Sequence, residues 1–291
     1  MMEVLTHALM HAFEDTIKLV PFLFVTYLLM EWLERKTQEK QTVLLTKVGR
    51  LGPLFGSLSG ILPQCGFSAA AASLYAGGVI SIGTLVSVFY STSDEMLPLL
   101  ISTGVPVERI AKIVGIKVLT ALVSGFVLDG ILRFTKYRYK TEKRIHDLCE
   151  AEHCGCEEEE GSIVHSAIIH TIHIILFVFA ITFVLTLVVE GIGEDTLMTI
   201  LSSHPAISIF LSGLVGLIPN CASSIMITQL YLDGMLGFGA MMAGLLVSAG
   251  VGLLVLYRTN AHPSENLKIT GILYAGGVLW GILFEILHVV I

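Results

Sequence analysis

Apolar positions run along most of this chain in stretches of uneven length, and the stretches fall into two matching series. Residues 16–34, TIKLVPFLFVTYLLMEWLE, read as one apolar helix. Gly52 to Pro63 is apolar but only 12 residues long, and Ser68 to Tyr75 is built mostly of Ala and Ser. Val79 to Tyr90 is another short run; Ser91-Thr92-Ser93-Asp94-Glu95 interrupts it before Met96 to Ile101 resumes. Arg109 to Phe134 is long, and after one polar stretch His165 to Glu190 opens a second series. A helix needs roughly 20 apolar residues to cross a bilayer. The long runs therefore predict membrane helices and the short ones predict broken or incomplete passes. No series of alternating strands is present, so a β-barrel is not expected.

The second series repeats the first. Residues 60–83, GILPQCGFSAAAASLYAGGVISIG, align without a gap to residues 216–239, GLIPNCASSIMITQLYLDGMLGFG, at an offset of 156. Eight of the 24 aligned positions are identical: Gly60/Gly216, Pro63/Pro219, Cys65/Cys221, Ser68/Ser224, Leu74/Leu230, Tyr75/Tyr231, Gly78/Gly234 and Gly83/Gly239. Chance would give roughly two, given ordinary residue usage. The same offset pairs Lys112/Lys268, Ile113/Ile269, Gly115/Gly271, Gly125/Gly281 and Asp129/Glu285, and an offset of 159 pairs His11/His170, Glu14/His173 and Glu31/Glu190.

Charge then orients the series. Arg35, Lys36, Lys40, Lys47 and Arg50 follow the first helix, and Lys136, Arg138, Lys140, Lys143 and Arg144 follow Phe134. Basic loops next to membrane helices stay in the cytoplasm. An even number of passes, four by length, lies between them, which makes five in the first half. The second half starts from the opposite side, so the two copies are inverted. The reading is an all-α integral membrane protein of two inverted five-helix repeats with broken helices. Residues 1–134 form the first repeat, 135–161 a cytoplasmic Cys/His-rich acidic loop, and 162–291 the second repeat. Both termini are expected outside, in a multi-pass protein of the cell's inner (cytoplasmic) membrane. The first residues lack a basic n-region, so no cleavable signal peptide is expected.

Composition agrees: 54% of the residues are hydrophobic and 14% charged, against about 25% charged in soluble domains. The net charge of −7 comes largely from Glu157 to Glu160 and says little about partners. Five cysteines split between the repeats and one loop do not make a disulfide framework.

Both repeats break at Pro–amide–Cys. Pro63 and Pro219 each remove a backbone donor. Irregular backbone survives in a bilayer only where it lines a cavity or is buried in protein, and inverted repeats with broken helices mark secondary transporters. The candidate substrate-binding residues are accordingly Pro63, Gln64, Cys65 and Ser68 with Pro219, Asn220, Cys221 and Ser224. The opposing reading is a Pro kink in a packed helix with buried small cysteines; recurrence in register speaks against it. Asp94 and Glu95 have no acidic counterparts at Gly250 and Val251. They read as ion-coupling carboxylates or as acids in a helix first turn capped by Ser93.

Two further groups suit metals. His146, Cys149, His153, Cys154 and Cys156 put three thiols and two imidazoles in 11 residues, suited to a soft or borderline ion; the bland alternative is a solvated acidic loop. His11 and Glu14, with His170 and His173 on the matching helix, read as metal-collecting vestibules or, more simply, as interfacial polar residues.

The chain resembles the bacterial and archaeal heavy-metal exporter family with ten transmembrane helices, whose members are labelled manganese transporters or arsenic-efflux-type permeases. The resemblance rests on Gly60-Ile-Leu-Pro-Gln-Cys65-Gly-Phe-Ser68, Phe89-Tyr-Ser-Thr-Ser-Asp-Glu95, the Cys/His loop and Gly216-Leu-Ile-Pro-Asn-Cys221. It implies efflux of a metal or metalloid, with the metal ion as substrate and no cofactor required. Manganese prefers carboxylate, carbonyl and water, whereas thiols prefer softer ions, so the substrate stays open between them.

The expected function is therefore export of manganese, another divalent heavy metal or an arsenic species by alternating access. The expected partners are the lipid bilayer, the substrate and a proton or cation gradient. No nucleotide-binding loop is present, no nucleic-acid partner is expected, and a homodimer is allowed. The alternative is a permease for a small organic solute or anion. An intramembrane enzyme or a non-transporting sensor comes last, since no H-E-x-x-H or G-x-S-x-G occurs.

Overall fold

The computed structural model describes thirteen positions between residues 9 and 28, then residues 51–59, 61, 65–92, 96–134, 163–192, 205–219 and 221–289. The described positions between 9 and 28 are all helical (α1), as are 51–59 (α2). The remaining helices are Cys65–Ala76 (α3), Ile82–Ser91 (α4), Met96–Ser102 (α5), Val107–Phe134 (α6), Ile163–Ile192 (α7), Pro205–Gly216 (α8), Cys221–Leu232 (α9), Phe238–Val247 (α10), Val251–Thr259 (α11) and Pro263–Ile286 (α12). Shifting α2 to α6 by 156 brings each onto one of α8 to α12. Five apolar segments per half result, counting α4–α5 and α10–α11 each as one interrupted helix.

Recurring local chemistry produces the recurring bounds. Helix α3 ends with Val79 N–H on the Leu74 carbonyl (2.8 Å) and Gly78 N–H on the Tyr75 carbonyl (2.9 Å). Helix α9 ends with Met235 on Leu230 (2.9 Å) and Gly234 on Tyr231 (3.1 Å). This double closure needs a left-handed residue after the helix, and Gly78 and Gly234 both have φ +73°. Four of the aligned positions thus share one capping motif.

The closest packing recurs as well. A Cβ on Gly239 would stand 2.5 Å from the Gly281 carbonyl, and one on Gly281 2.7 Å from the Gly239 carbonyl. Gly83 and Gly125 meet in the same way, a Cβ on Gly125 reaching 2.6 Å from the Gly83 carbonyl. Small residues let helices approach closely where apolar attraction offers no preference, and these pairs bring α10 to α12 and α4 to α6.

The two short helices of the first half run in opposite directions. Gly52 lies against Thr84, Gly56 lies against Thr84, Ser87 and Val88, and Ser91 Oγ donates to the Gly56 carbonyl at 3.2 Å. Helix α2 thus runs alongside α4 in the same direction. Helix α3 returns: Ser68 and Phe89 meet at Gly252, and a tight turn then joins Ala76 to Ile82. At about 1.5 Å per residue, the 12 residues of α3 span about 18 Å, short of the ~30 Å apolar core.

Position in the bundle follows burial. Phe238–Thr259, interrupted at Ser248, is 94% buried over its most apolar window, whereas Val107–Leu132 and Pro263–Ile286 are 28% and 33% buried. The broken helix α10–α11 is therefore the centre. Helices α6 and α12 present Leu119, Phe126, Ile131, Leu279, Leu283 and Ile286 outward. Long apolar helices with apolar outer faces fit lipid, not water.

Candidate functional site

The interrupted helices α4–α5 and α10–α11 pack against the post-proline helices α3 and α9. Helix α10 stops at Ser248, and Gly250 takes φ +53° and ψ −142° before α11 begins. A side chain is strained in that conformation, so the chain turns here on a glycine. Helix α4 stops at Thr92, whose N–H (2.9 Å) and Oγ1 (2.7 Å) both return to the Val88 carbonyl. The first turn of α3 packs against the first turn of α11: a Cβ on Gly252 would lie 2.7 Å from Ser68 Cβ and 2.9 Å from Phe89 Cε1. Ser68 is wholly buried there. Helix α9 packs in turn on α5. Each half thus lends its post-proline helix to the other half's interrupted helix.

Three polar links tie α4 to its surroundings, two near its interruption and one at its start. Lys117 of α6 is 1% exposed, and its Nζ donates to the Thr92 carbonyl. Tyr90 Oη donates to the Leu273 carbonyl of α12 at 3.0 Å. Asp129 holds the far end of α4, accepting Gly83 N–H at 3.0 Å and Ser81 Oγ at 2.7 Å. A carboxylate at a helix N-terminus is favoured by the helix dipole. Asp129 is thus a tie between α6 and α4.

One residue pair recurs with its partners exchanged. Tyr75 Oη donates to Glu265 Oε1 at 2.5 Å, and both residues are buried. Adding 156 to Tyr75 gives Tyr231, and subtracting 156 from Glu265 gives Arg109. Arg109 and Tyr231 both line a cleft of about 350 Å³ with Phe238, Phe284 and Glu285. The Tyr75–Glu265 contact is buried, whereas the counterpart positions line an open cleft. Asn260 and Asn266 reinforce the closed end with a buried 2.6 Å hydrogen bond.

The expected site residues are described unevenly. Ser68 is buried as stated, Ser224 is half-buried in α9, and Pro219 precedes that helix. Cys65 and Cys221 are the first residues of α3 and α9. Pro63, Gln64, Asn220, Asp94, Glu95, the loop ligands His146, Cys149, His153, Cys154 and Cys156, and the vestibule residues His11 and Glu14 lie outside the described residues. So does the side chain of His170; His173 is exposed on α7. Among the described residues no three His, Cys, Asp or Glu side chains gather in one place.

Sequence reading missed Lys117, the Tyr75–Glu265 pair and the interruption at Ser248–Gly250. Lys117 carried a signal, a lone Lys deep in a long apolar run. The interruption carried a weaker one, Ser248-Ala249-Gly250 opposite Thr92-Ser93-Asp94 of the first half.

The family model described as "Putative, 10TM heavy-metal exporter" matches residues 1–191 and 166–290. No curated protein and no solved structure matches the chain. The family match covers nearly every residue, and four helices among the described residues are long and apolar enough to cross a membrane: the chain belongs to this heavy-metal exporter family and is a multi-pass membrane protein.

Proposed function

We propose that the protein is a secondary transporter that exports a metal cation or metalloid by alternating access around its two Pro–amide–Cys hairpins. The exchanged packing of α3 on α11 and α9 on α5 carries the reading. Contacts that swap partners between halves are what a twofold axis generates, and inverted repeats put the transport site on that axis.

Several contacts support the inversion. The start of α12 lies beside the end of α3, through Glu265 and Tyr75, and the end of α6 lies at the start of α4, through Asp129. The end of α12 lies at the start of α10, with Phe284 and Phe238 centroids 5.6 Å apart. These relations run α4 and α10 in opposite directions. The family's ten passes put five in each half, an odd number, and odd halves invert.

In this reading the closed Tyr75–Glu265 end faces the cytoplasm, because α6 leads from it into the basic start of the 135–161 loop. The Tyr231–Arg109 cleft faces outward. Export exchanges the two conditions: the inner pair parts to admit substrate, and the outer pair closes behind it. Cys65, Cys221, Gln64, Asn220, Ser68 and Ser224 bind, Asp94 or Glu95 couples an ion, and the Cys/His loop collects metal in the cytoplasm. A permease for a small anion draws on one observation, the buried ammonium of Lys117.

Uptake into inside-out vesicles, with and without a proton gradient, tests the assignment. Gradient-dependent accumulation of one of manganese, zinc, cadmium, iron or arsenite supports the exporter. Uptake competed by organic anions and indifferent to every metal supports the permease instead.

A further inference from the structure

The cleft lined by Arg109 and Tyr231 also holds Glu285, in the last turn of α12, and His288, just beyond it. Glu285 is the counterpart of Asp129 but does not repeat its tie. Asp129 accepts Gly83 N–H and Ser81 Oγ at the start of α4. At the start of α10 the matching residues are Gly239 and Gly237, and no side chain caps the helix. The Glu285 carboxylate lies close by, 2.7 Å from where a Cβ on Gly239 would stand, yet it takes no hydrogen bond among the described residues. The fold uses Asp129 and leaves Glu285 to the cleft.

His288 is strained where it stands. Among the described residues it alone combines a side chain with a positive φ, +48°. Its N–H on the Glu285 carbonyl and Val289 N–H on the Phe284 carbonyl, both 3.1 Å, close α12 as Gly78 and Gly234 close α3 and α9. Glycine takes this position without strain, so the cap does not call for an imidazole. Strained residues of this kind cluster at ligand sites. Behind the two side chains the wall is firm: the Phe238 ring meets Tyr231 and Phe284 edge on, with centroids 6.1 and 5.6 Å away.

We propose that Glu285 and His288 form a divalent-cation site in this cleft, a last station for the exported ion before release. The inference rests on the exporter reading and extends it to the exit side. A carboxylate and an imidazole suit zinc, and manganese accepts both; water fills the remaining positions. Arg109 in the same cleft opposes a cation and keeps binding weak, and a site of departure must release what it binds.

Manganese binding to purified full-length protein, followed by electron paramagnetic resonance with spin-echo detection of coordinated nitrogen, tests this. Manganese binds thiols poorly, so the cysteines contribute little. Wild type is expected to show imidazole nitrogen on the bound ion. His288→Asn and His288→Gly are expected to lose that signal, and Glu285→Gln to weaken binding about tenfold or more. Arg109→Gln is expected to tighten it about threefold. His288→Gly relieves the backbone, so its thermal midpoint should hold or rise while the site is lost, which separates loss of a ligand from loss of fold. A nitrogen signal that is absent from wild type, or that survives both His288 substitutions, overturns this inference and leaves the exporter reading standing. Vesicle uptake of no metal at all removes the exporter reading and this station with it.

Discussion

Trp280 Nε1 donates to Ser124 Oγ at 2.8 Å, and the two residues stand 156 positions apart, the period of the internal repeat. A residue that touches its own counterpart lies on the axis relating the halves. Helices α6 and α12 therefore meet at the proposed twofold, and each carries one partner of the exchanged pairs, Arg109 on α6 and Glu265 on α12. The contact offers a test of the inverted arrangement. In a background lacking the native cysteines, a short bifunctional thiol reagent is expected to join Ser124→Cys to Trp280→Cys within one chain. Cross-linking only between chains would contradict the axis.

The Tyr75–Glu265 contact is expected to act as the inner gate. A hydrogen bond to a charged group is worth about 1.5–3 kcal/mol, enough to shift a two-state population by roughly an order of magnitude or more. Tyr75→Phe should therefore favour the inward-open form. A Ser68→Cys reporter in that variant is expected to react several-fold faster with a membrane-impermeant maleimide from the cytoplasmic face. Equal rates with and without the Tyr75 hydroxyl would remove the gate.

The glycine crossings are expected to tolerate no side chain. Gly239→Ala puts a methyl 2.5 Å from the Gly281 carbonyl and 2.7 Å from Glu285 Oε2. Forcing that contact apart should cost about 1–3 kcal/mol, seen as a lower thermal midpoint in detergent. Gly271→Ala, with nothing within 4 Å, is the matched control and should be neutral or slightly stabilising, since Ala outranks Gly in a helix.

The two Schellman closures should answer alike. Gly78→Ala and Gly234→Ala each force a Cβ into φ +73°, at about 1–2 kcal/mol. Similar losses of thermal stability at both positions are expected from their shared geometry. A loss at one position only would mean that the two caps have different neighbours.

Much of this fold is legible in the sequence because the repeat compares the chain with itself. The pairing of Leu74-Tyr75 and Gly78 with Leu230-Tyr231 and Gly234 marks a cap, and Gly83/Gly239 with Gly125/Gly281 marks a crossing. The direction of short helices is not legible: a 12-residue apolar run has the same composition whichever way it runs, and contacts such as Ser91 with Gly56 decide it. Nor is the interruption at Gly250, since Ser-Ala-Gly removes no backbone donor as Pro63 and Pro219 do. Tyr75 and Glu265 lie 190 positions apart, and neither side chain alone announces the other. Lys117 was readable as a charge in an apolar helix; that it holds the end of α4 was not.

Manganese, zinc, cadmium, iron and arsenite flux in inside-out vesicles, compared between wild type and the Cys65→Ser/Cys221→Ser double variant, tests the central claim most directly. The two thiols begin α3 and α9, the helices whose exchange between halves defines the proposed site. The account expects gradient-driven uptake of one ion by wild type and at least a tenfold loss in a double variant that still reaches the membrane in normal amount, a change of about 1.4 kcal/mol or more in barrier or binding. Transport of that ion by the double variant at the wild-type rate would contradict it.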